Sequence, residues 1–142
     1  MLQLEKIINN LNLKEKISLL TGFNSWYTNK IDNNNIPSIK MSDGPNGVRG
    51  DSTSGKSSAC FPCAISIGST WDEVLINELG IALGEEAKIK DVDVLLGPTI
   101  NIHRHPLGGR HFESFSEDPF LTGRIAINYV QGVQSKDVAA CL

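Results

Sequence analysis

The sequence predicts an α/β fold built on a parallel sheet, and three observations carry that expectation. Short apolar runs at 36–42, 92–97 and 138–142 alternate with longer stretches of helical periodicity, in the order strand, helix, strand, helix, strand. The run Val92-Asp-Val-Leu-Leu-Gly97 has the near-continuous apolar character of a strand buried on both faces. The first two runs end in polar loops rich in Gly and Pro, as strand-to-helix crossovers require. At 142 residues, 40% apolar and 20% charged, the chain has the composition of one ordinary globular domain. No run approaches the ~18 apolar residues of a membrane span. Thirteen basic against sixteen acidic residues remove the counterion-release drive for nucleic acid, so neither membrane nor nucleic acid is an expected partner.

Leu4, Ile7, Ile8 and Leu11 follow helical spacing, and Asn12 with Glu15 forms a capping box for a second helix, closed by Gly22. After an Asn- and aromatic-rich segment, Ile36–Ser42 reads as an alternating strand with Ile39 and Met41 among its apolar positions. SDGPNGVRG then enforces a loop, and the Ser/Gly/Lys-rich stretch 50–58 is expected to be mobile. Beyond the apolar patch Phe61–Ile67, Thr70-Trp-Asp-Glu73 reads as a second capping box. It heads a helix with Val74, Leu75, Leu79, Ala82 and Leu83 on the buried side. A polar loop over 101–117 leads to Asp118-Pro119, an N-cap with proline at the first helical position, and Ile125, Ala126, Tyr129, Val130 and Val133 face inward from that helix. VAACL (138–142) reads as the start of a buried strand, and the lack of any turn or cap after it implies truncation. MLQLEKIINN lacks the basic and apolar regions of a signal peptide, which implies a cytoplasmic protein. Cys60, Cys63 and Cys141 are too few for a disulfide scaffold and are expected as thiols.

Parallel sheets carry their sites beyond the carboxyl ends of the strands, where SDGPNGVRG and NIHRHPLGGRHFESFSEDP fall. Asp43 closes a strand, so its carboxylate projects into the mouth of the sheet, with Arg49 six residues on. A carboxylate accepts from two neighbouring hydroxyls and a guanidinium donates in a fixed fork, which suits a polyol. The competing reading makes Asp43 an Asx-turn residue and Arg49 a solvated cation. Arg110 follows Gly108-Gly109, which lets backbone approach a ligand; its competing role is to brace the loop against Glu113 or Glu117. Cys60-Phe-Pro-Cys63 has no helix-opening signal directly after it and no second cysteine pair, and His103, His105 and His111 lack a carboxylate ligand. No phosphate loop or dinucleotide fingerprint occurs, so neither a metal nor a cofactor is expected. Trp26 and Trp71 read as core, although the loop position of Trp26 leaves stacking on a pyranose open.

Together SDGPNGVRG, LLGPTINIHRHPLGGRHFESFSEDPFLTG and VAACL resemble the amino-terminal part of glycoside hydrolase family 3, most closely microbial and fungal β-glucosidases. The resemblance covers the chain from LNLKEKISLLTG onward. It implies an incomplete (β/α)8 barrel of about three strands, with leading helices and a loop over 1–35 and the first strand-helix units over 36–142. It also implies retaining hydrolysis of terminal β-D-glucosyl residues, with Asp43, Arg49 and Arg110 binding the sugar. Glu113 and the Ser114–Asp118 run match a supporting network. The family's lysine-histidine pair, its aspartate nucleophile and its acid/base glutamate would fall beyond Leu142, so the isolated chain is expected to be inactive. Alternatives are a β-xylosidase or N-acetylglucosaminidase of the same family, or a non-catalytic sugar-binding module.

Overall fold

Two short helices open the chain, α1 (Leu2–Asn10) and α2 (Leu13–Leu19), in a computed structural model that describes residues 2–50 and 56–142, with side chains from residue 4 onward. The Asn12 capping box forms as predicted: Asn12 Oδ1 accepts from the Glu15 N–H at 2.9 Å and Glu15 Oε2 from the Asn12 N–H at 2.8 Å. Closure differs from the expectation. The helix stops before Gly22, and Asn29 Nδ2 takes up the Ser18 and Thr21 carbonyls at 2.9 Å each, while Gly22 bridges to Thr28. The segment that follows folds back on itself, Tyr27 bridging Lys40 and Ile31 bridging Ile36. Those pairings draw 36–40 away from the expected strand. They complete the first of two compact units, Met1–Lys40 and Met41–Leu142.

The second unit holds β1 (Met41–Asp43), α3 (Ala64–Gly68), α4 (Glu73–Ile89), β2 (Val94–Leu96), α5 (Pro119–Gln134) and β3 (Ala139–Cys141). The three strands are parallel in the order β1-β2-β3, which is the predicted α/β class. Register sets Ser42, Leu95 and Ala140 in one row and Asp43, Leu96 and Cys141 in the next. Because side chains alternate between faces, the row of Ser42 meets the helices and the row of Asp43 points to the opposite side. Ser42 and Leu95 are accordingly fully buried, in a core shared with Ile76, Leu83, Ile125 and Tyr129. Two burial expectations fail. Val94 and Leu96 are only partly buried, and β3, an edge strand here, leaves Ala139 and Cys141 exposed.

Helix α4 is capped by Asp72, whose Oδ1 accepts from the Val74 and Leu75 N–H groups at 3.0 Å each. The expected cap, Thr70, instead donates to the Ile67 carbonyl at the end of α3, and Glu73 is drawn into a two-pronged pair with Arg124 of α5 at 2.7 and 2.8 Å. Asp118 caps α5 with Pro119 at the first position, as predicted. The buried face of α4 is rotated from the expected one: Ile76, Gly80, Leu83, Gly84 and Ala87 are inside, while Val74 and Leu75 are 69% and 47% exposed. Glycine explains the rotation, because Gly80 and Gly132 let α4 and α5 cross with their backbones in contact. α3 was not anticipated; it opens directly after Cys63, and all three cysteines are free thiols. Of the stretch expected to be mobile, 51–55 lie outside the described residues. Its flanks are tied down, with the Gly50 N–H on Ser42 Oγ at 2.8 Å and Ser58 Oγ on the Val48 carbonyl at 2.7 Å. Among the described residues no helix is long and apolar enough to cross a membrane.

A Cβ at Gly132 would stand 2.4 Å from the Asn77 carbonyl oxygen and 2.8 Å from Gly80 Cα, whereas one at Gly123 on the same helix meets nothing within 4 Å. Gly132→Ala should therefore destabilise, since overpacking of about 1–3 kcal/mol outweighs the gain in helix propensity. Gly123→Ala should raise the melting temperature through that propensity alone, worth about 1 kcal/mol. Thermal melts in which the two alanines shift stability alike would contradict the close crossing.

Candidate functional site

The carboxyl ends of the strands open into a cleft of about 780 Å³. Its floor is the row Asp43, Leu96 and Cys141, and its walls are the loop 44–49, the segments 58–60 and 97–101, and the turn that carries Arg110, Phe112 and Glu113. Asp43, Arg49 and Arg110, singled out from sequence alone, thus line one cavity.

Asp43 is held by its own turn and remains available. Oδ1 accepts from the N–H of the next residue, Gly44, at 2.9 Å, not from the N–H two residues on that an Asx turn would use, while Oδ2 lies 3.6 Å from Arg49 Nη1, an ion-pair distance that leaves room for other donors. The Arg49 N–H donates to the Asp43 carbonyl at 3.0 Å, closing the loop, and its side chain stays 74% exposed. Arg110 makes the brace against Glu113 that was its competing role, at the wall of the cleft. Nε donates to both Glu113 oxygens at 3.0 Å and Nη2 to Oε2 at 2.5 Å, so the loop is braced. A guanidinium has five N–H groups, and the two on Nη1 make no hydrogen bond among the described residues. The Glu113 bond raises the Arg110 pKa, with the Asp43 charge acting in the same direction, and Arg110 in turn lowers that of Glu113.

Among the described residues the loop 44–49 has no strand pairing; the Phe61 N–H donates to the Asn46 carbonyl at 2.8 Å, and the helices fasten the rest. Tyr129 of α5 donates from its hydroxyl to the Pro45 carbonyl at 3.0 Å, and burial raises the pKa of that phenol. Glu86 of α4 accepts from the Val48 N–H through Oε2 and from the Ala59 N–H through Oε1, both at 2.8 Å. Lys90, one turn on, donates to Glu86 Oε1 at 2.9 Å, to Ser58 Oγ at 2.7 Å and to the Val48 carbonyl. Sequence reasoning missed Glu86 and Lys90; the available signal was an i,i+4 charge pair at the end of the apolar stripe of α4.

Other candidates fall elsewhere. His103 and His111 stack at 4.8 Å, His103 Nε2 lies 3.0 Å from the Ser114 carbonyl oxygen, and none of the three histidines lines the cleft. Among the described residues no His, Cys, Asp or Glu group could hold a metal. Trp71 is not core but 74% exposed, in a positive-φ turn before α4, and Trp26 belongs to the first unit. Cys60 and Cys141, of which no chemistry was expected, border the cleft.

Burial would raise the Glu86 pKa, but the bonds from Lys90, Ala59 and Val48 outweigh it and the net shift is downward. The carboxylate therefore stabilises the fold above its ordinary pKa of about 4.3, and that contribution is lost as pH falls through the lower folded value. The gap in melting temperature between wild type and Glu86→Gln should accordingly narrow as pH drops below about 4.3. A gap that is constant or widens towards acid would refute this assignment.

Residues 2–142 match the glycosyl hydrolase family 3 N terminal domain. The chain is 55% identical over 139 residues to a putative β-glucosidase of Schizosaccharomyces pombe, and 50% identical over 141 residues to a β-glucosidase of Rhizobium radiobacter. These matches cover 97% and 98% of this chain but 17% of each relative. Among solved structures, β-glucosidase from Kluyveromyces marxianus in complex with glucose superposes with a TM-score of 0.91 at 45% identity, over 96% of this chain and 16% of that one. β-glucosidase 3B from Thermotoga neapolitana in complex with α-D-glucose superposes at 0.89 and 36% identity, over 98% and 22%. With its three parallel strands and its DGPNGVR and GGRHFESFSEDP loops at one end of the sheet, the chain belongs to glycosyl hydrolase family 3, within the N-terminal domain.

Proposed function

We propose that this chain is the amino-terminal part of a retaining β-glucosidase and that it grips the terminal, non-reducing glucosyl unit of the substrate through Asp43, Arg49 and Arg110. The observation that carries the reading is the convergence of one carboxylate and two guanidinium groups on a single cleft at the carboxyl ends of parallel strands. The names of the relatives and the glucose held by two structural neighbours support it. Charge balance supports it as well. With Glu113 counted, two carboxylates face two guanidinium groups, which suits a neutral polyol better than a phosphorylated or acidic sugar.

On this reading Asp43 accepts from neighbouring sugar hydroxyls, while Arg49 and Nη1 of Arg110 donate to hydroxyl oxygens. Such contacts strengthen as the ring approaches the oxocarbenium-like transition state, so they accelerate the reaction as well as binding the sugar. Retention needs two carboxyl groups about 5–5.5 Å apart across the scissile bond. On this reading both belong to the remainder of the enzyme, and the 142 residues by themselves should not hydrolyse.

In the complete enzyme, Arg110→Ala should lower kcat/KM on a nitrophenyl β-glucoside by about 10–100-fold, as expected for charge-assisted hydrogen bonds. The melting temperature should hardly move, because the Arg110–Glu113 pair is exposed on the arginine side. Lost stability with unchanged kcat/KM would reduce Arg110 to a loop brace. A panel of β-glucoside, β-xyloside and N-acetylglucosaminide should show the glucoside preferred.

A further inference from the structure

We infer that Glu86 and Lys90 are positioning residues for the sugar-binding groups: an ion pair at the C-terminal end of α4, its lysine buried, that fixes the backbone on which Arg49 is mounted and, through it, the Asp43–Arg49 pairing. The inference rests on the proposed function, since what is positioned is the proposed sugar grip.

The Lys90 side chain is 2% exposed and that of Glu86 15%, although Glu86 lies on the last turn of a helix with ample surface elsewhere and Lys90 caps its end. Their bonding explains the placement. Glu86 uses both oxygens on backbone, one on the Val48 N–H and one on the Ala59 N–H. The ammonium of Lys90 donates to the Val48 carbonyl, Ser58 Oγ and Glu86 Oε1. Val48 is thereby held through both its N–H and its C=O, immediately before Arg49. On the other side Gly50 donates to Ser42 Oγ at 2.8 Å, and a Cβ there would sit 3.3 Å from Lys90 Cδ. Arg49 itself donates its N–H to the Asp43 carbonyl, on which Ser42 Oγ also rests at 2.8 Å. The backbone is thus pinned on both sides of Arg49, while its side chain, beside Asp43, stays 74% exposed. Ser58 and Ala59, gripped by the same pair, line the cleft as well.

A neutral staple could not do this. A glutamine at 86 offers a single acceptor oxygen, so one of the two N–H bonds would go, and an apolar residue at 90 would leave the Val48 carbonyl without that donor. The resulting shift would displace a side chain that acts at the transition state. Misplacement on the order of 1 Å is enough to cost about a hundredfold in rate.

The test is kinetic and uses the complete enzyme. Glu86→Gln and Lys90→Met should each lower kcat/KM on the nitrophenyl β-glucoside by about 10–100-fold, with kcat falling more than KM rises. The inhibition constant for glucose should rise in parallel, and Lys90→Arg, which keeps the charge and the donors, should recover part of the loss. A fall in melting temperature with kcat/KM and glucose inhibition unchanged per folded molecule would show a purely structural pair and overturn the inference. If neither variant folds, hydrogen exchange on the wild type decides: the Val48 and Ala59 amides should be protected and slowed further by saturating glucose. Exchange indifferent to glucose overturns the inference. A wild-type enzyme without β-glucosidase activity would overturn the proposed function itself, a result distinct from an active wild type with fully active variants, which removes only the positioning role.

Discussion

A buried ammonium beside a loop of glycine and proline is the constraint around which the second unit is arranged. Taking an ammonium out of water is costly, and the acceptors around Lys90 offset that cost. Lys90 therefore ties three things together: the end of α4, the backbone at Val48 and the return segment at Ser58 and Ala59. Helix α4 can reach them only because Gly80 and Gly132 admit α5 at backbone contact, and α5 then sends Tyr129 to the Pro45 carbonyl of the same loop. Two helices thus hold a loop that has no strand pairing among the described residues.

The three short strands contribute position more than mass. With a period of two, a slip of one residue would carry Asp43 into the core and Ser42 into the cleft. Ser42 opposes that slip: fully buried, its hydroxyl donates to the Asp43 carbonyl and accepts from the Gly50 N–H. Either bond requires Ser42 to face the helices, which obliges Asp43 to face the opening, in the row with Leu96 and Cys141. A small polar residue where the pattern would admit an apolar one is therefore part of how the site is aimed.

What was legible in the sequence follows from the range of the interactions involved. Asp43, Arg49 and Arg110 stood out because they lie in the loops beyond the carboxyl ends of the strands, where parallel sheets carry their sites, although each had a structural reading beside it. The capping patterns at Asn12 and Thr70 are alike on paper, yet only the first forms, because Asp72 stands closer to the start of α4 and Glu73 is taken by Arg124, 51 residues away. The inward face of α4 was misjudged for a related reason: periodicity weighs large apolar residues, while the contact with α5 is made by glycines. Glu86 and Lys90 were invisible to the same weighing, which assigns charges to solvent. Their partners are backbone groups 27 to 42 residues distant, and no local pattern encodes those.

The observed brace of Arg110 against Glu113 and its proposed contact with the sugar are compatible. Glu113 occupies Nε and Nη2, fixing the plane of the guanidinium and leaving Nη1 outward. A free arginine would lose side-chain entropy when it closed on a ligand, and one already held by a carboxylate has lost most of it on folding. The brace also keeps the cleft close to neutral, since each guanidinium has its own carboxylate, Asp43 for Arg49 and Glu113 for Arg110. An anionic ligand would have to compete with those carboxylates. An uncharged polyol only fills the donor and acceptor positions they leave open, and this is why the proposed occupant of the cleft is a neutral sugar.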